Sequence, residues 1–149
     1  MDYEAMAAAL GQAIPFNVHV GLEVVELEPG RGVVRLPDAP NLHNHVGSQH
    51  AGALFSAGEA ASGGAFLATF ADLLGEVTPL AESAQISYRK IARGPITATG
   101  RFTQDRDAIV SELNSEGRVR FPVEVELADA DGNVVAEMTV NWYVKRNAA

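Results

Sequence analysis

Between Ala51 and Ala71 the chain carries one charged residue in twenty-one, Glu59. An ionised carboxylate buried without a partner costs several kcal/mol or more. Glu59 therefore pairs with a cation such as Arg89, caps a loop, holds a proton, or lines a cavity as a tuned acid or base. Just upstream, His50-Ala51-Gly52 falls where a helix over this run would begin. Backbone N–H groups there lack intrahelical partners and the dipole is positive, a setting that stabilises an oxyanion. Asn44 offers an amide that either orients a carbonyl or water or forms a turn. His50 either takes part directly or hydrogen-bonds the backbone. The chain has no cysteine, which removes disulfides, thiolate metal sites and cysteine nucleophiles and leaves Asp, Glu, His and Ser chemistry. His43, His45, His50 and Glu59 match known zinc spacings poorly, and no metal is expected.

Five of the eleven cations, Arg89, Lys90, Arg93, Arg101 and Arg106, fall within eighteen residues of an otherwise acidic chain. A polyanionic ligand would find counter-charges there, although any one of them alone reads as a solubilising charge at a strand end. No phosphate-binding loop or dinucleotide fingerprint accompanies them. With 11 Lys and Arg against 19 Asp and Glu the net charge is −8, which disfavours a phosphate backbone as partner. The N-terminus carries Asp2 and Glu4 where a secretory signal carries cations, and the apolar run is too short to span a bilayer. A cytoplasmic protein with no membrane or nucleic-acid partner is expected.

The elements that must hold these residues fit one domain over 1–149. Met6, Ala9, Leu10, Ala13 and Ile14 lie at helical spacing, so residues 1–15 predict a leading helix stopped by Pro15. Gly21 to Glu28 and Gly32 to Pro37 read as a hairpin joined by Pro29-Gly30-Arg31-Gly32. Asp38 to Gln49 reads as an ordered loop. Residues 50–74 are expected to form the central helix, which from Ala51 to Ala71 is apolar or small on every side apart from Glu59 and so must be enclosed by other structure. Ser83 to Ile91, Ile96 to Thr103, Val119 to Ala128 and Val134 to Val144 read as strands, with Asp131-Gly132 a two-residue hairpin signal between the last two. The class is α+β, an antiparallel sheet of about six strands around one long helix inserted after the second. Such a chain cannot cover its own sheet edges, and self-association as a homodimer or homotetramer is expected, with Trp142, Tyr143 and the Val119 to Leu127 strand as candidate apolar surface.

The stretch Asn44-His45-Val46-Gly47-Ser48-Gln49-His50-Ala51-Gly52 followed by Glu59 resembles the hotdog-fold acyl-CoA thioesterases, particularly the phenylacetate-pathway type. Their pattern is Asn or Gln, then His-Gly-Gly at a helix start, then Asp or Glu further along the helix. Ile86-Ser87-Tyr88-Arg89-Lys90 through Gly94 to Gly100-Arg101 resembles the family's third and fourth strands. The likeness runs from about Gly21 to Tyr143, and Ala51 replaces the first glycine, which leaves the N–H in place. The resemblance implies that Glu59 is nucleophile or general base, that the Ala51 N–H polarises a thioester carbonyl, and that Asn44, His50 and Gly52 complete the catalytic set. It implies an acyl-CoA substrate at a subunit interface, CoA being part of the substrate and no cofactor being needed.

Arg89, Lys90 and Arg93 are the candidate phosphate contacts, and Leu54, Phe55, Gly58, Ser62 and Phe66 the candidate acyl contacts by helical spacing. The small residues Gly58, Ser62 and Gly63 either make room for an acyl group or let strands pack close. His45, fourteen residues before Glu59, resembles the His…Glu dyad of hotdog hydroxyacyl dehydratases, but Val46-Gly47-Ser48 replaces their Phe-Pro-Gly. A non-catalytic acyl-CoA or lipid-binding module is the remaining alternative.

Overall fold

The computed structural model describes residues 1–148. The chain runs α1 (Tyr3–Ala13), α2 (Pro15–Val20), β1 (Glu23–Glu28), β2 (Arg31–Leu36), α3 (Ala51–Thr69), β3 (Val77–Tyr88), β4 (Ile96–Arg101), α4 (Arg106–Glu116), β5 (Arg118–Ala128) and β6 (Val134–Arg146). The strands form one antiparallel sheet in the order β1-β2-β4-β5-β6-β3, and α3 packs on its inner face. This is the hotdog arrangement implied by the resemblance. No helix among the described residues is long and apolar enough to cross a membrane.

The inner face is built by alternation. Val119, Phe121, Val123, Val125 and Leu127 of β5 are buried while Arg118, Arg120, Glu124 and Glu126 point outward. Along α3 the buried set includes Ala57, Ala61 and Ala65, so the helix presents a nearly flat surface to the sheet. Glycines opposite it allow backbone contact. A Cβ on Gly32 would lie 2.5 Å from the Ala65 nitrogen, and one on Gly100 2.6 Å from the Ala61 carbonyl oxygen. Beyond this seam Phe66 stacks on Phe70, Phe121 and Trp142 at centroid separations of 5.2, 6.0 and 5.9 Å. Each such buried aromatic contributes about 1.5–3 kcal/mol of burial.

Several expected boundaries move. Asp2 caps α1, accepting a hydrogen bond from the Ala5 N–H. Pro15 does end that helix, but it also starts α2 as its first residue, where its missing N–H has no intrahelical role. The central helix stops at Thr69 rather than 74, and Ala71–Leu73 tightens into a 3-10 turn. β3 begins at Val77, six residues before the expected Ser83, with Pro79 tolerated on an edge strand. It ends at Tyr88, short of the expected Ile91, and β4 ends at Arg101, short of Thr103.

The β5–β6 connection spans residues 129–133, not a two-residue turn. Only Gly132 has positive φ there, whereas a type I′ turn needs two such residues, and the Asp129 carboxylate accepts from the Asp131 and Asn133 N–H groups instead. Helix α4 was not expected at all. It buries only Ile109 and Leu113, too few for a clear period, yet its punctuation is present in Asp105 as N-cap and Gly117 as the left-handed C-cap.

Candidate active site

The segment before α3 is organised by side chains that are already engaged. The Asn44 amide NH2 donates to Ser48 Oγ at 2.9 Å and to the Gln49 carbonyl at 3.3 Å. Its oxygen accepts from the Val46 and Ser48 N–H groups. Gln49, 3% exposed, donates from Nε2 to the carbonyls of Pro37 and Gly94. Its Oε1 is buried with no partner among the described residues. The Gln49 N–H donates to the Ala92 carbonyl, so the loop and residues 92–94 are fastened together. Neither Ser48 nor Gln49 was singled out from the sequence, where a polar pair in a loop carries no sign of burial.

Helix α3 begins under unusual economy of donors. His50 is the N-cap, its Nδ1 accepting from the Gly52 N–H at 2.7 Å, which leaves the ring proton on Nε2. The Ala53 and Leu54 N–H groups both donate to the His50 carbonyl. Among the described residues the Ala51 N–H alone of this first turn has no acceptor. Tyr88 at the end of β3 donates its hydroxyl to the Ala51 carbonyl at 3.0 Å, fixing the strand end against the helix start. Arg89, Lys90 and Arg93 follow in the same fastened segment, with Arg89 near Glu137 at 3.7 Å. Arg106 lies elsewhere, binding the Thr69 carbonyl and Asp72, and Arg101 sits in register with Arg31 and Glu124.

Two turns into α3 stands Glu59. Among the described residues its carboxylate has neither ion pair nor hydrogen bond, and Arg89 is spoken for by Glu137. Burial alone pushes its pKa above the ordinary carboxylate value. It lines an apolar cavity of about 330 Å³ between α1, α2, β1, β2, β3 and β6. The α3 wall of that cavity is Glu59, Ala60, Gly63, Phe66 and Leu67, one helical face.

Of the expected acyl contacts only Phe66 is on this wall. Leu54 is buried in the main core, and Phe55 is 37% exposed. Gly58 faces the sheet, where a Cβ would lie 2.5 Å from Met138 Sδ. Ser62 is occupied as well, accepting from Trp142 Nε1 and donating to the Glu59 carbonyl. The wall is rotated by one residue, about 100°, from the face that spacing alone picked out. Leu10, Ile14, Asn17 and Leu80 also reach the cavity, and nothing local in sequence connects them to α3.

His45 is exposed in the turn and does not line the cavity, so within one chain it does not meet Glu59. His43 Nε2 lies 2.6 Å from Asp38 Oδ1, and no group of three or more metal-ligating side chains converges among the described residues. What the arrangement offers chemically is a free N–H at a positive helix end and a desolvated carboxylate further along the same helix.

A 1.5 Å Pseudomonas aeruginosa structure described as a protein of unknown function, "Probable Thioesterase", shares 30% identity and a TM-score of 0.85, covering 97% of this chain and 95% of that one. The Escherichia coli PaaI protein from the phenylacetic acid degradation operon shares the fold at 17% identity and a TM-score of 0.73, with 96% and 91% covered. A Saccharolobus solfataricus protein, provisionally named an esterase, is 29% identical over 126 residues, 84% of this chain and 79% of its own. The family model described as "Domain of unknown function (DUF4442)" matches residues 3–144. The chain belongs to that DUF4442 family, and its six-stranded sheet around a long central helix is that of the hotdog-fold thioesterase superfamily.

Proposed function

We propose that the protein is a thioesterase that hydrolyses an acyl-CoA to the free acid and CoA. The observation that carries this is Glu59, an unpartnered and desolvated carboxylate on the wall of an apolar cavity, on a helix whose first N–H is free. The names of the relatives, a thioesterase and an esterase, support a hydrolase. The Ala51 N–H donates a hydrogen bond to the thioester carbonyl oxygen, whose negative charge grows as the carbonyl carbon becomes tetrahedral. Glu59 either takes a proton from the attacking water or attacks the carbon itself to form an acyl-enzyme anhydride that water then opens. In both routes the C–S bond breaks, CoA leaves as the thiolate and is protonated, and water supplies the acid's second oxygen. Arg89, Lys90 and Arg93, beside the donor end of α3, provide counter-charges for CoA phosphates. The Asn44 and His50 side chains act by holding the loop and the helix start.

One chain does not make a whole site. Ala51 and Glu59 are eight residues apart on α3, about 12 Å along the axis at 1.5 Å per residue. A single carbon cannot lie near 3 Å from both groups, the roughly 3 Å reach that such chemistry needs. The working unit is therefore a homodimer, the Ala51 N–H of one protomer facing Glu59 of the partner subunit.

The test is free-thiol release from acetyl-, decanoyl-, palmitoyl- and phenylacetyl-CoA by wild type and Glu59→Gln. Turnover by wild type that falls at least a hundredfold in the near-isosteric variant is expected, on the scale of general-base contributions. Binding without thiol release would leave a non-catalytic acyl-CoA module, and hydration of an enoyl-CoA would leave a dehydratase.

A further inference from the structure

Helix α3 contains four glycines, and the structure separates them. A Cβ on Gly58 would meet Met138 Sδ at 2.5 Å, one on Gly64 would meet Leu27 Cδ2 at 2.8 Å, and one on Gly52 would meet His50 Nδ1 at 3.0 Å. Those three stand where α3 touches strands or its own cap. Gly63 does not. A Cβ there would make ordinary contact with the Trp142 ring, 3.6 Å from Cζ2, and its φ is not in the left-handed region. Glycine in a helix interior destabilises it relative to alanine, and here neither a turn nor close packing asks for it. The volume its missing side chain leaves belongs to the cavity beside Glu59.

We infer that Gly63 is a specificity-determining residue, holding open against Trp142 the part of the cavity that receives an apolar acyl group of up to about a dozen carbons, aliphatic or aryl. The capacity follows from size: an apolar cavity of about 150 Å³ takes benzene, with six carbons, and this one is about twice as large. The chemical class follows from the lining. Glu59 and Asn17 are its polar side chains apart from Trp142, whose indole N–H is already given to Ser62. A charged or many-hydroxylated acyl group would lose its water there without replacement.

The inference rests on the thioesterase reading only in naming the occupant an acyl group, so the test includes a binding measurement independent of turnover. Wild type, Gly63→Ala and Gly63→Leu are compared for thiol release from acetyl-, hexanoyl-, decanoyl- and palmitoyl-CoA. Decanol binding is measured on each by calorimetry. Wild type is expected to prefer decanoyl over palmitoyl. Gly63→Leu should lose at least tenfold in decanoyl relative to acetyl turnover and bind decanol at least tenfold more weakly. Gly63→Ala should melt no lower than wild type, because alanine fits and favours the helix. Unchanged chain-length profile and decanol affinity in Gly63→Leu would overturn the inference, as would a lowered melting point of Gly63→Ala. No thiol release by any form, with decanol binding that weakens in Gly63→Leu, would keep the inference and remove the hydrolase.

Discussion

Glu59 owes its raised pKa to loss of water alone, since neither a cation nor a donor faces its carboxylate among the described residues. Two consequences of opposite kind follow. A base works ionised, so the acid limb of kcat/KM should lie above the ordinary glutamate value of about 4.3 and disappear in Glu59→Gln. The folded chain also holds that proton more tightly than the unfolded chain does. The stability this confers is fully present below the unfolded pKa and is lost as pH rises through the folded value. Glutamine has no such dependence. Urea unfolding from about pH 4 to neutrality should show Glu59→Gln gaining stability on wild type as pH rises. A difference independent of pH would mean that the carboxylate is solvated. A lone charge in twenty-one residues made Glu59 legible in the sequence. For Asn44 the sequence left a turn former and a carbonyl or water contact both open, because an asparagine reads the same whether its amide is free or engaged, and the structure has both ends of the amide engaged within its own loop.

Among the elements, the seam between α3 and strands β2 and β4 fixes how the helix, and with it Ala51 and Glu59, sits on the sheet. Gly32 and Gly100 let backbone meet backbone, and the Ala61 carbonyl stands where a Gly100 side chain would be. Backbone cannot swing aside as a side chain can. Gly100→Ala should therefore lower stability by about 1–3 kcal/mol, the usual cost of overpacking. Gly75→Ala, where a Cβ meets nothing within 4 Å, should stay within about 0.5 kcal/mol. Equal effects in urea titrations would show that the seam is not tight. The six strands and the central helix were readable because each carries a strong period or an unbroken apolar run. Helix α4 escaped because it packs through two buried residues and is defined mainly by Asp105 and Gly117 at its ends. The cavity wall escaped because it draws on α1, α2, α3, β1, β2, β3 and β6 together, a convergence that only the tertiary fold produces.

At the scale of the whole molecule the free edge is β3, twelve residues long, whereas the other edge strand, β1, has six and lies beside α1. A long open edge is a template for pairing. β3 runs against the direction of α3: Tyr88 lies at the helix start, while Pro79, Leu80 and Ala81 border the cavity. A two-fold pairing of β3 edges reverses one strand on the other, and brings the helix start of one protomer toward the cavity of its partner. That geometry would close the roughly 12 Å gap between Ala51 and Glu59 that helix rise imposes within one chain. Ala51→Pro tests it cleanly. The position is the first of α3, where proline removes the N–H without breaking any intrahelical bond, and His50 already has the extended φ −67°, ψ 142° that a following proline requires. The variant should fold as wild type and lose about 10²–10³ in kcat, as for removal of an oxyanion donor. Ala51→Pro and Glu59→Gln, each inactive alone, should complement when unfolded together and refolded in equal amounts. Half the dimers are then mixed and one of their two sites is intact, giving about a quarter of wild-type turnover. Sites built within single chains would give no recovery, since no chain in the mixture carries both groups.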